Sequence, residues 1–307
     1  MTATRRTFLS LAAGAAVARA AHHEEAPLID THIHLFAKDR KKFPLHANAP
    51  YDPEPRDLAD YGPFVKNAGI AHSIIVHPEP YQDDHSYLEY CFANEPSKGF
   101  FKGTLLLDAL KEDSPRRIAV MVKKHPDRIC ALRVHAMGER GAAPATSGAI
   151  VNRDLKSDEM VRFWRAAADY GLAIQMHFKP FFAPEIDALK AKFPSVPVVL
   201  DHLGRNGMGN PVDFEHVLAL AKRPNTYMKF SGWPYSSNEE FPHRDLKPVV
   251  RRIFERFGPS RMIWGGLGYT MEDFRARSAM LDEMFDYATE DDRRQIRGLT
   301  AKRLFRF

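Results

Sequence analysis

Eight short runs rich in β-branched and aromatic residues recur along the 307-residue chain, most of them followed by a stretch with helical character. The runs are Leu28 to His34, His72 to His77, Phe101 to Leu107, Ile129 to His135, Leu172 to Phe178, Val196 to His202, Thr226 to Ser231 and Arg261 to Gly265. Between them, Met160, Phe163, Trp164, Ala167 and Ala168 share one helical face. So do Val249, Val250, Ile253, Phe254 and Phe257, and again Met280, Leu281, Met284, Phe285 and Ala288. Asp83 to Ala93, Ser114 to Lys123, Pro184 to Phe193 and Asp213 to Ala221 supply further helices. Strands that alternate with helices run parallel and are joined by right-handed crossovers. Eight such units predict a closed (β/α)8 TIM barrel, a single α/β domain over residues 21–307. An open doubly wound sheet would carry a glycine-rich phosphate loop after its first strand. Here that strand ends in His32-Ile33-His34-Leu35-Phe36. Residues 36–56 and 136–155 are long post-strand segments, expected as walls at the C-terminal face of the barrel.

His32 and His34 stand two apart on the first strand, so both side chains point to one side. Such a pair arises easily by chance among 14 histidines. Its position is more telling, because His77, His135, His177 and His202 also lie at strand ends. Core histidines placed at random would not gather at the rim where barrel sites are built. Imidazoles converging from several strands bind a transition metal, hold a carboxylate when protonated, or move protons. His32, His34 and His177 make a three-nitrogen metal site, with zinc the first choice of divalent ion. Asp201 and His202 are neighbours on a strand and are expected on opposite faces, with Asp201 anchoring nearby backbone.

Cations occupy comparable positions. Arg133 and His135 share a face of the fourth strand, Lys229 and Ser231 a face of the seventh, and Arg205 follows the sixth. Arg133, His135 and Lys229 are therefore expected to bind a small anionic substrate. A structural ion-pair role is the competing reading for Lys229 and Arg205.

Five segments in this order resemble the amidohydrolase-related family of the amidohydrolase superfamily. They are Ile29-Asp30-Thr31-His32-Ile33-His34, Gln175-Met176-His177, Leu200-Asp201-His202-Leu203-Gly204, Lys229-Phe230-Ser231-Gly232 and Met262-Ile263-Trp264-Gly265. The resemblance runs from residue 28 to the Ala301-Lys302-Arg303-Leu304-Phe305 ending. It implies a lactonase-like hydrolase or, in the same branch, a metal-dependent non-oxidative decarboxylase. It also implies that His32 and His34 are the first-strand pair, and His177 and His202 the fifth- and sixth-strand histidines. The family's eighth strand ends in an Asp that binds metal or acts as a base. Here the stretch reads Trp264-Gly265-Gly266-Leu267-Gly268-Tyr269-Thr270, and Leu267 takes the acid's place without a gap. The leading expectation is hydrolysis of a lactone or related acyl bond, with His202 as base, His177 beside it in catalysis, and Glu79 as the next candidate base. Loss of the acid leaves a binding protein without catalysis as a further alternative.

Composition bounds the rest. Apolar residues make up 44% and charged residues 27%, ordinary for a globular chain. The formal charge is +5; Arg5, Arg6 and Arg19 lie in residues 1–20, which hold no acid, so the remainder carries 5 − 3 = +2. That small excess makes no case for a nucleic-acid partner. Cys91 and Cys130 are too few and too far apart to define a disulfide framework or a zinc motif. Thr4-Arg5-Arg6-Thr7-Phe8-Leu9 resembles a twin-arginine export signal, followed by an Ala-rich apolar run and the small-x-small site Ala18-Arg19-Ala20. The run is too short for a stable membrane anchor, so the expected location is the periplasm or another exported space. Replacing Arg5→Lys with Arg6→Lys is expected to retain unprocessed chain in the cytoplasm by cell fractionation; normal export of that variant overturns the reading.

Overall fold

The computed structural model describes residues 26–307, so the expected export signal at 1–20 lies outside the described residues. Eight parallel strands pair in sequence order: β1 (Leu28–Ile33), β2 (Ile70–Ile75), β3 (Phe101–Leu106), β4 (Ile129–Ala136), β5 (Ala173–Phe178), β6 (Val198–Leu200), β7 (Thr226–Phe230) and β8 (Met262–Trp264). Helices α1 (Leu58–Ala68), α2 (Ser86–Ala93), α3 (Ser114–Lys124), α4 (Asp158–Asp169), α5 (Ala183–Lys192), α6 (Pro211–Ala219), α7 (Lys247–Phe257) and α8 (Met271–Met284) fill the crossovers. Short helices α9 (Glu290–Arg294) and α10 (Thr300–Phe305) end the chain. This is the expected (β/α)8 barrel. Helix α1 was not singled out in the sequence, where Gly62-Pro63 interrupts its pattern. Asp57 caps its start through Ala59 N–H, and Gly69 in the left-handed region ends it. No helix among the described residues is long and apolar enough to cross a membrane. Cys91 and Cys130 are free thiols.

The interior is layered. Ile29, Ile74, Val76, Ala131, Ala173, Val199 and Ile263 form an apolar floor, closed from below by Ala301 and Phe305 of α10. Above it, Arg133, Gln175, Asp201 and Lys229 make a polar layer, and His135 and His177 sit two residues further along β4 and β5. A register shift in β1 between Asp30 and Ile33 re-phases that strand. Ile29 therefore faces the floor, while His32 and His34 reach the histidine layer.

Ladder hydrogen bonding runs from β1 to β8, and side chains close the β8–β1 seam. Thr31 Oγ1 donates to the Trp264 carbonyl at 2.8 Å. The Asp30 carboxylate accepts N–H groups from Gly266 at 2.7 Å, Leu267 at 2.9 Å and His32 at 3.0 Å. Asp30→Asn sets an NH2 donor against one of these N–H groups. It is expected to cost about 2 kcal/mol in reversible denaturation; unchanged stability would show that the seam does not depend on this carboxylate.

Candidate active site

Strand β6 ends at Leu200, and the chain then enters four consecutive left-handed residues, His202, Leu203, Gly204 and Arg205. That turn corrects the expectation that Asp201 and His202 face apart. Alternation holds only while a strand continues, and this one has ended. Asp201, His202 and Arg205 consequently all reach the same histidine cluster. Three of the four residues carry side chains in a backbone region that costs such residues on the order of 1–3 kcal/mol each. Leu203 and Arg205 are buried, so packing holds the turn in place.

Asp201 anchors side chains, rather than the backbone anchoring expected from sequence. It accepts two hydrogen bonds from Gln175 Nε2, at 3.0 and 2.9 Å, and pairs with Lys229 at 3.1 Å. Arg133 lies 3.9 Å and His32 Nδ1 3.7 Å from it. Lys229 also donates to the Thr31 carbonyl and approaches His32 Nδ1 at 3.3 Å. Burial opposes the Asp201 charge, but Lys229 and His32 outweigh it and hold the carboxyl well below its usual range.

A second carboxylate, Glu79, arrives from the turn after β2. Its Oε1 stands 3.4 Å from Nδ1 of both His135 and His177, and those two nitrogens are 3.1 Å apart. Its Oε2 faces Arg133 at 3.6 Å and accepts from the Tyr51 hydroxyl at 3.2 Å. Burial raises the Glu79 pKa, yet Arg133, then His135 and His177, bring it well below normal. Glu79 is thus an ionised group that holds its neighbours. Arg133 lies buried between Glu79 and Asp201, beneath the histidines.

His34 Nδ1 lies 2.7 Å from the Val76 carbonyl, which fixes the proton there and leaves Nε2 a lone pair. That Nε2 faces His32 Nε2 at 3.2 Å. His177 does not complete a compact set with this pair. Among the described residues, the compact donor sets are His32 with Asp201 and His202, and Glu79 with His135 and His177. Their nitrogen and oxygen donors suit a zinc-class divalent ion. His202 Nδ1 is 2.9 Å from Ser231 Oγ. Burial keeps both His177 and His202 neutral: His177 is lowered to about 4, and His202 falls well below its ordinary value. His77 packs instead against His85, with ring centroids 4.4 Å apart and the rings tilted by 40°.

Arg205 is the cation without a carboxylate. Its guanidinium lies 3.7 Å over the Tyr235 ring and hydrogen-bonds His177 Nε2, and it forms no ion pair among the described residues. Tyr51 and Tyr235, 47% and 45% exposed, form the outer rim. The sequence carried no signal for either, since each depends on where a loop returns. The loop after β4 is strapped down by Arg153, which pairs with Asp108 and donates to the Ala145, Ser147, Gly148 and Ala149 carbonyls.

At β8 the residue against His32 is Gly265: a Cβ there would lie 2.8 Å from His32 Cβ and 2.9 Å from its backbone N. The Leu267 side chain packs in the apolar cluster outside the barrel. Carboxylates reach the histidines from β6 and from the turn after β2. Gly232 is equally constrained, at φ 63° with a Cβ position 2.3 Å from His202 Nδ1. Gly232→Ala is expected to push His202 off Ser231 and lower turnover by about tenfold or more with the fold retained; full turnover in a folded variant would remove His202 placement from catalysis.

An amidohydrolase family model matches residues 29–307. The chain is 24% identical over 295 residues to the 4-sulfomuconolactone hydrolase of Hydrogenophaga intermedia, covering 90% of this chain and 88% of that one. It is 27% identical over 256 residues to the L-fucono-1,5-lactonase of Burkholderia ambifaria, covering 77% and 78%. Among solved structures, one from Pseudomonas putida described as a 2-pyrone-4,6-dicarboxylic acid hydrolase superposes with a TM-score of 0.72 at 20% identity, covering 91% and 97%. A barrel with this motif order, matched along almost all of its length, belongs to the amidohydrolase family.

Proposed function

We propose that this protein is a hydrolase that opens the lactone ring of a small anionic molecule. The observation that carries the reading is a charge imbalance around neutral histidines. Arg133, Lys229 and Arg205 are three cations beside two carboxylates, Glu79 and Asp201. Arg133 and Lys229 are committed to those carboxylates, which leaves Arg205 to meet an anionic arm of the substrate. Two curated relatives, both named as lactone hydrolases, support the reaction class.

With Nδ1–H given to Ser231 Oγ, His202 Nε2 is free to take a proton from the attacking water. The oxygen then adds to the lactone carbonyl carbon. When the ring C–O bond breaks, the imidazolium returns its proton to the departing alkoxide, giving a hydroxy acid. A zinc-class cation held among these donors would polarise the carbonyl. Residues 1–20 remain a proposed export signal, which would place the reaction outside the cytoplasm.

A panel of lactones followed by product identification tests the proposal. Anionic lactones are expected to open, with kcat/KM at least ~100-fold above neutral analogues. His202→Ala is expected to lower kcat by on the order of 100-fold or more, and Arg205→Met to raise KM chiefly for anionic substrates. Carbon dioxide release from an aromatic acid, or tight binding with no turnover across the panel, would overturn it.

A further inference from the structure

We propose that Gln82 is a positioning residue for the reaction: it ties the turn that carries Glu79 to the loop after β4, and so places the Glu79 carboxylate among His135, His177 and Arg133. The catalytic consequence rests on the lactone-hydrolase reading, whereas the tie itself rests on geometry.

The backbone of Gln82 is held at φ 49° and ψ −117°, outside the left-handed well that side-chain-bearing residues tolerate. Glycine would occupy this position without strain. Gln82 is also 1% exposed, so its amide has to be satisfied by the protein. A strained residue of this kind persists where its contacts over-determine it, and such residues gather at functional sites.

The contacts are two hydrogen bonds from the two ends of one amide. Nε2 donates to the Glu79 carbonyl at 2.5 Å, beside the Gln82 backbone N–H, which donates to the same oxygen at 2.9 Å. Oε1 accepts the Ile150 N–H at 2.7 Å. Ile150 is a firm anchor, because Arg153 gathers the Ala145, Ser147, Gly148 and Ala149 carbonyls just before it. The loop after β1 holds the same turn from another side: the Pro80 carbonyl accepts the His46 N–H and the Tyr81 hydroxyl accepts the Ala37 N–H, both at 2.9 Å. The two long loops of the mouth therefore meet on the Glu79 turn, and Gln82 is the side chain that binds it to the second of them.

The carboxylate hangs from that turn with little tolerance. Its Oε1 stands 3.4 Å from Nδ1 of both His135 and His177, so a shift of about 1 Å takes it out of reach of one or both. Arg133, 3.6 Å from Oε2, would lose its partner in the same movement. Arg205, which meets the anionic arm of the substrate, comes from the turn after β6 and has no printed bond to the Glu79 turn or to Gln82. Loss of the tie should therefore act on turnover more than on substrate capture.

The test compares Gln82→Gly and Gln82→Ala with the wild type on the anionic lactone that the panel opens fastest. Both variants delete the amide, and glycine alone relieves the backbone. kcat is expected to fall about tenfold or more in each, with KM changed less than about threefold. Gln82→Gly should nevertheless melt a few degrees above Gln82→Ala. Equal loss of turnover in the more stable variant is not what a damaged fold produces. In a Glu79→Gln background, Gln82→Ala should cost less than about twofold further, because both changes act through one carboxylate. Without substrate, the Ile150 amide should exchange with solvent at least ~10-fold faster in Gln82→Gly, and a crystal structure of that variant should show the Glu79 carboxylate moved by about 1 Å or more. Full kcat in Gln82→Gly, or the same loss repeated on Glu79→Gln, overturns the positioning role. Equal melting of the two variants overturns the backbone strain. Unchanged exchange at Ile150, or an unmoved Glu79 carboxylate, overturns the tie. If the wild type opens no lactone, the hydrolase reading fails by itself, and the exchange and crystal measurements still decide whether Gln82 places Glu79.

Discussion

The buried carboxylate of Asp201 is the interaction on which this interior depends. It takes two hydrogen bonds from Gln175 on β5 and the ammonium of Lys229 on β7, and lies near Arg133 on β4 and His32 on β1. Five strand ends are thereby referred to one group. A lone buried carboxylate is costly, and so are an unpaired lysine and an unpaired arginine. Each removes the penalty of the others, and the histidines rest on the layer they form. Glu79 repeats the device one layer higher, with Arg133 shared between the two acids. The polar layer thus sets the positions of the histidines above it, while burial keeps His177 and His202 neutral.

The β8–β1 seam explains how a barrel of this family manages with a glycine-rich eighth strand end. Asp30 gathers the Gly266 and Leu267 N–H groups, which draws β8 against β1. The approach is so close that Gly265 has no room for a side chain beside His32. Acids reach the histidines from other directions as a result, Asp201 beside His32 and Glu79 beside His135 and His177.

Much of this was legible in the sequence. Short runs rich in β-branched and aromatic residues marked all eight strands, because each barrel strand is buried on both faces and flanked by helices. The strand-end histidines, Arg133 and Lys229 followed from alternation along β4, β5 and β7, where the strands are regular. Alternation failed where regularity failed. The β1 register shift is invisible in composition, and the left-handed turn at His202 to Arg205 brings Asp201 and His202 together against the strand rule. Which cation is left unpaired could not be read either. Arg133 has two carboxylates near it and Arg205 has none among the described residues, a matter of distances between loops far apart in sequence. Tyr51 and Tyr235 escaped for the same reason.

The floor of the barrel carries a practical consequence for anyone who wants to handle this molecule. Ala301 and Phe305 plug the strands from below, and Phe307 stacks on His72 near the start of β2, with ring centroids 4.6 Å apart. The histidines open at the opposite end. A fluorophore, surface linker or fusion partner coupled through the last residue would leave from the base and keep clear of substrate traffic at the mouth. The same coupling needs a flexible spacer, since pulling on Phe307 pulls on the stopper that keeps water out of the apolar floor.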